Sequence, residues 1–189
     1  MRVILFGGSF DPPHLGHINM VERVIHKCDS LIIMPAGKSP LKEKSHIADA
    51  IHRFEMSKLA FLKISDKINV SDYEINSSID SYTINTVLWL LKKYKNCSIR
   101  ILIGKDQLSV LNKWKYIDEL VSLVDFICFD REINDDINNN FMFKIEDFSN
   151  NISSTAIRNK INSNFFSYRD FLCREVYNYI KKNKIYETC

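Results

Sequence analysis

Four continuous apolar runs constrain this chain most: RVILFG (2–7), SLIIMP (30–35), SIRILIG (98–104) and VDFICFD (124–130). None alternates apolar with polar residues, so each suits a strand covered on both faces, as in a parallel sheet. Weaker runs stand at INVSD (68–72) and FMFKIED (141–147). Between them lie segments with helical spacing at about 16–27, 48–63, 82–94 and 115–123, followed by 153–163 and 168–182. In the third of these, Ile84, Val87, Leu88 and Leu91 recur at i, i+3, i+4 and i+7, one stripe of a helix. This alternation of strand and helix predicts an α/β fold: a doubly wound, Rossmann-like, mostly parallel sheet with helices on both faces. At 189 residues the chain fits a single domain over 1–189, with a small helical C-terminal portion from about 153 to 189.

Composition removes several function classes. Apolar residues make up 46% and charged residues 26%, ordinary globular proportions, and no stretch approaches the ~18 apolar residues that span a bilayer. The first apolar run starts one residue after Met1, which leaves no space for a secretory leader. The cytoplasm is therefore the expected compartment, with no membrane partner. Five cysteines, at 28, 97, 128, 173 and 189, are odd in number and never in C-x-x-C spacing, which predicts reduced thiols rather than a disulfide framework or a metal cluster. Net charge is only +3, too balanced to imply nucleic acid as a partner. Any anion must be held by local geometry. A homo-oligomer stays open.

In a doubly wound sheet, ligands bind beyond the carboxyl ends of the strands, so the residues that follow each strand carry the functional reading. After the first comes FGGSFDPPHLGHINM (6–20). Gly7 and Gly8 allow bare N–H groups to approach a phosphate where a Cβ would block them, although a tight turn uses the same letters. The spacing matches neither G-x-G-x-x-G nor the P-loop. His14 and His17 sit three apart at the expected N-terminus of a helix, on one side of it, where about half a positive charge and free N–H groups already favour an anion. A metal pair is the competing reading, but H-x-x-H lacks the third ligand that catalytic zinc takes; a capping role also stays open.

Lys42, in the basic loop PAGKSPLKEKS (35–45), is a mobile point charge that can reach a phosphate. Gly104 and Asp106 end the strongest central run, and a carboxylate there can accept hydrogen bonds from ribose hydroxyls. Trp114 offers a flat face to a planar ring, or simply fills the core. NISSTAIRNKI (151–161) supplies Ser153, Ser154 and Thr155 at a helix start and the guanidinium of Arg158 a turn later, a phosphate clasp or a plain N-cap. The Asn-rich stretch 131–140 reads as a solvated connection.

Taken together and in order, GGSFDPPHLGH (7–17), PLK (40–42), RFEMSKLA (53–60), SYTINT (81–86), GKDQLSVLNKW (104–114), ISSTAIR (152–158) and VYNYIKKNKIY (176–186) resemble the H-x-G-H nucleotidylyltransferase superfamily. Within it they resemble the bacterial nicotinate-nucleotide adenylyltransferases. That resemblance implies an enzyme taking ATP and nicotinate mononucleotide. It implies that His14, His17, Lys42 and Arg158 act on the phosphates, and that Gly7, Gly8, Ser9 and Phe10 with Gly104, Asp106, Ser153, Ser154 and Thr155 bind ATP. Tyr82, Thr83, Thr86 and Trp114 would surround the pyridine ring. Mg2+ is expected to arrive on ATP, held mainly by phosphates, with no metal site made by the protein.

Overall fold

The computed structural model describes residues 1–37, 47–77, 81–130, 142–146, 152–163 and 166–187. Its six strands are β1 (Arg2–Gly8), β2 (Ser30–Pro35), β3 (Ile68–Val70), β4 (Ser98–Gly104), β5 (Asp125–Asp130) and β6 (Met142–Glu146). They form one sheet in the order β3-β2-β1-β4-β5-β6, and every neighbouring pair is parallel. The expected fold class is therefore the observed one. β1 lies between β2 and β4, where the winding reverses, and that reversal opens the crevice beyond the β1 carboxyl end.

The helices are α1 (Leu15–Val24), α2 (Ala50–Phe61), α3 (Thr83–Lys93), α4 (Lys105–Leu108), α5 (Ile117–Leu123), α6 (Ser154–Asn162) and α7 (Arg174–Asn183). Side chains of β1 alternate between two cores. Ile4 and Phe6 join residues of α1, α2, α6 and α7, whereas Val3 and Leu5 join residues of α3 and α5. Successive Cβ atoms of a strand point to opposite faces, so one apolar run serves both layers.

Two expectations change, and one short helix is added. The segment 168–182 is not one helix: a 3-10 turn occupies Phe166–Phe171, and α7 starts afresh after Cys173, whose backbone is extended at φ −68°, ψ 153°. Leu172, 5% exposed, is drawn into the core at this break. The four-residue α4, too short to show a period, follows β4 directly. On α3 the buried face holds Ile84, Thr86, Val87 and Leu90, while Leu88 is 39% exposed. The stripe turns because Thr86 faces inward to hydrogen-bond the buried Glu74 (2.5 Å). Among the described residues no helix is long and apolar enough to cross a membrane.

Candidate functional site

The chain leaves β1 through a turn whose conformation is fixed residue by residue. Phe10 adopts the left-handed region at φ 47°, and the Asp11–Pro12 peptide is cis. The Phe10 ring, 1% exposed, stands edge-on to Phe6 (5.3 Å), Phe61 (5.5 Å) and His17 (5.2 Å). A nucleotide can meet only the backbone of Phe10, because its side chain is core. The same ring explains Gly8, where an added Cβ would come within 3.0 Å of it. Above Gly7 an added Cβ would find nothing within 4 Å, so that glycine borders open space.

His14 is the N-cap of α1, and its carbonyl accepts from His17 N–H (2.9 Å) and Ile18 N–H (3.2 Å). Its own N–H donates to His17 Nδ1 (3.2 Å), and the two rings stack at 3.7 Å. His14 is 7% exposed, and its Nδ1 is buried without a hydrogen-bond partner. Burial pulls its pKa down to about 4, against an upward pull from the carboxylate of Asp106. With its pKa near 4 the His14 imidazole is neutral at pH 7, because among the described residues the pull of Asp106 is outweighed by desolvation. Asp106 itself folds back over Gly104, where an added Cβ would lie 2.7 Å from Oδ1.

From the far end of the chain, the start of α6 docks on this turn. Ser153 caps the helix by accepting from Ala156 N–H (3.1 Å). Ser154 Oγ donates to Pro12 O (2.8 Å), and Arg158 Nη1 donates to Asp11 O (2.6 Å) while Nη2 donates to Thr155 Oγ1 (3.1 Å). The glycine–histidine turn and the hydroxyl–arginine helix are thus one unit, 142 and 147 residues apart in sequence. Lys42 lies outside the described residues, as does the stretch 131–140.

The sequence motifs assign no role to Arg53, Asp11, Glu74 or Tyr186. Arg53, 1% exposed, donates to Ala48 O (3.2 Å), Ser9 O (3.0 Å), Ala36 O (2.6 Å) and Gly37 O (3.4 Å), tying the ends of β1 and β2 to the start of α2. It shares the buried stripe of α2 with Met56, Ser57, Ala60 and Phe61, and a charge in such a stripe was its available signal. Asp11, 4% exposed, accepts from Ile47 N–H (2.9 Å), Ala48 N–H (3.1 Å) and Tyr186 O–H (2.7 Å). Glu74, 8% exposed, has its pKa raised by burial, against hydrogen bonds from Thr86 and Ser81 and the charge of Arg53.

Glu74, Ser81, Tyr82, Asn85 and Thr86 line a small cavity at the start of α3. Thr83 opens that helix, and Tyr82, its N-cap, carries Lys115 Nζ 4.2 Å from its ring centroid. This sets the residue beside Trp114 against Tyr82; the Trp114 ring itself is not in the cavity lining and packs edge-on to Phe126 (6.3 Å). Thr86 is 1% exposed and spends its hydroxyl proton on Glu74, so its contribution is to the cavity wall. Among the described residues no group of three or more His, Cys, Asp or Glu side chains is placed to hold a metal ion.

Residues 5–160 match the cytidylyltransferase-like family model. A "Probable nicotinate-nucleotide adenylyltransferase" of Aliarcobacter butzleri is 35% identical over 87% of this chain and 90% of its own length. Another of that name, from Methylacidiphilum infernorum, is 34% identical over 98% and 92%. Among solved structures, the Plasmodium falciparum nicotinic acid mononucleotide adenylyltransferase complexed with NaAD superimposes with a TM-score of 0.80 at 19% identity, covering 98% of this chain and 97% of that one.

Proposed function

The chain belongs to the nicotinate-nucleotide adenylyltransferase family, and from that premise we propose that it transfers the adenylyl group of ATP to nicotinate mononucleotide, releasing deamido-NAD and pyrophosphate. The observation that carries this reading is the docking of α6 on the β1 turn, through Ser154 to Pro12 O and Arg158 to Asp11 O. It gathers histidines, hydroxyls and a guanidinium at one strand end in the crevice where a doubly wound sheet takes nucleotides.

A phosphate oxygen of the mononucleotide attacks the α-phosphorus of ATP in line; the new P–O bond forms as the bond to the β-phosphate oxygen breaks, and pyrophosphate leaves. The attacking oxygen is already an anion, so no general base is required. Catalysis then rests on positioning and charge stabilisation. In this reading Gly7 leaves room for the triphosphate, and the backbone of Gly8, Ser9 and Phe10 faces the adenine nucleotide. His14, His17, Lys42 and Arg158 neutralise phosphate charge, with Ser153, Ser154 and Thr155 as hydroxyl partners. Gly104 and Asp106 take the ribose.

An arriving triphosphate brings negative charge to His14 and favours its protonated form, so the ring gains its charge when the substrate needs it. Each charge-assisted hydrogen bond of this kind contributes on the order of 1.5–3 kcal/mol when dry. Magnesium enters as MgATP, part of the substrate. Tyr82, Thr83, Thr86 and Trp114 frame the pyridine ring. Pyrophosphate release with ATP and either nicotinate or nicotinamide mononucleotide tests the reading: the acid is expected to be the better acceptor, and faster turnover of the amide would overturn the acceptor assignment.

A further inference from the structure

The C-terminal tail reaches the phosphate side of the site through one phenol. After α7 the chain turns at Lys184 (φ 51°), and Ile185 N–H closes back on Ile180 O (3.1 Å), a Schellman-type ending. That turn buries Ile185 and Tyr186, each 7% exposed, and aims the Tyr186 hydroxyl at Asp11 Oδ1 (2.7 Å). α7 is itself fastened to α2 where Tyr179 O–H meets His52 Nδ1 (3.0 Å), and to the turn that follows α2 where Lys63 Nζ meets Glu175 Oε1 (2.7 Å). Burial, and then the charge of Asp11, raise the Tyr186 pKa, so the phenol remains a donor.

Asp11 is the junction. Its Oδ1 also accepts from Ala48 N–H (3.1 Å) and its Oδ2 from Ile47 N–H (2.9 Å); Arg158 Nη1 donates to its carbonyl (2.6 Å) and lies 4.0 Å from Oδ2. Residue 47 directly follows the segment that contains Lys42, and His14 is three residues beyond Asp11. Asp11 therefore joins two partners at once: its carboxylate receives the N–H groups of Ile47 and Ala48, and its carbonyl receives the guanidinium of Arg158, three residues ahead of the N-cap His14. Without the phenol, the carboxylate keeps only the two backbone donors of Ile47 and Ala48, and its hold on the residue whose carbonyl positions Arg158 is weaker.

We propose that Tyr186 is a positioning residue for the transfer reaction: by holding the Asp11 carboxylate, the C-terminal tail fixes the phosphate-facing groups of the ATP side while leaving the mononucleotide side unaffected. The selectivity follows from the fold. Tyr186 and Ile185 belong to the core on the α1, α2, α6 and α7 face, whereas Tyr82 and Trp114 pack against the core on the other face of the sheet.

The proposal rests on the adenylyl-transfer reading, so its test has one readout with turnover and one without. For Tyr186→Phe, kcat/KM for ATP should fall about tenfold with the KM for nicotinate mononucleotide unchanged, and the ATP dissociation constant measured by calorimetry should rise about tenfold. Val176→Ala, a core change on α7 that does not touch Asp11, should lower the melting temperature and leave both ratios alone. Ile185→Val, which shifts the tail and retains the hydroxyl, should give the same ATP-selective loss at about two- to threefold, and this keeps the question open to measurement should the phenylalanine variant not fold. A folded Tyr186→Phe protein with wild-type ATP affinity, or with equal losses for both substrates, overturns the proposal. If the wild type binds ATP and releases no pyrophosphate, the transfer reading fails, while the calorimetric comparison still decides the role of Tyr186.

Discussion

Acidification should destabilise this protein through one imidazole. His14 is 7% exposed, stacks on His17 at 3.7 Å and leaves Nδ1 buried without a partner. Burial holds its folded-state pKa at about 4 against an ordinary 6.5, with Asp106 pulling weakly upward. Between those two values the unfolded chain binds a proton at His14 that the folded chain refuses. The stability associated with the neutral ring is therefore complete above pH 6.5 and is lost as pH falls toward 4. At about 1.4 kcal/mol per pH unit, the displacement is worth about 3 kcal/mol, a substantial part of the 5–15 kcal/mol that keeps a typical domain folded. Urea denaturation of the wild type and of His14→Gln at half-unit steps from pH 4 to pH 7.5 isolates the effect, because Asp106, His17 and all other titrating groups are common to both proteins. Relative to the variant, the wild type should lose about 3 kcal/mol across the window. Parallel stability curves for the two proteins would refute the reasoning.

Two further outcomes test the frame beneath the site. Arg53→Lys keeps a charge but replaces a planar fork with a single ammonium, which cannot serve carbonyls of Ser9, Ala36, Gly37 and Ala48 together. A loss of about 3 kcal/mol is expected, seen as a melting temperature lower by about 6–12 °C, and an unchanged melting temperature contradicts the role given to Arg53. Gly37→Ala would set a Cβ 2.1 Å from the Glu74 carbonyl oxygen, a backbone atom that cannot swing aside as a side chain would. Chemical denaturation should show it less stable by about 1–3 kcal/mol, and a neutral substitution would mean that the two segments separate freely.

Much of the fold was legible because burial on both faces of a parallel sheet writes itself as unbroken apolar runs. RVILFG became Arg2–Gly8, SLIIMP became Ser30–Pro35 and SIRILIG became Ser98–Gly104. Even the weak INVSD and FMFKIED runs became edge strands, Ile68–Val70 and Met142–Glu146. Periodicity failed where a tertiary partner outweighed it: Glu74 pulls Thr86 inward and turns the buried face of α3, and Leu172 breaks the last helical segment in two.

The site divides in the same way. His14, His17, Ser154 and Arg158 follow strands or open helices, so local rules point to them as candidates. Asp11, Glu74 and Tyr186 act through partners 12 to 175 residues distant, and nothing in their immediate neighbours announces that they are buried; for Arg53, which reaches Ser9 across 44 residues, the one local signal is a charge in the apolar stripe of α2. The neutrality of His14 was invisible for the same reason, since desolvation is a property of the packed molecule.

The central claim is that the β1 turn and the start of α6 act together as a transfer site for ATP and nicotinate mononucleotide. It is tested most directly by coupled pyrophosphate release on purified wild type and His17→Ala, with the nucleotide product identified by mass. The wild type should give stoichiometric pyrophosphate and deamido-NAD, and the variant should lose turnover while remaining folded. Near-wild-type turnover by folded His17→Ala, or ATP binding by the wild type without pyrophosphate release for any pyridine mononucleotide, would contradict it.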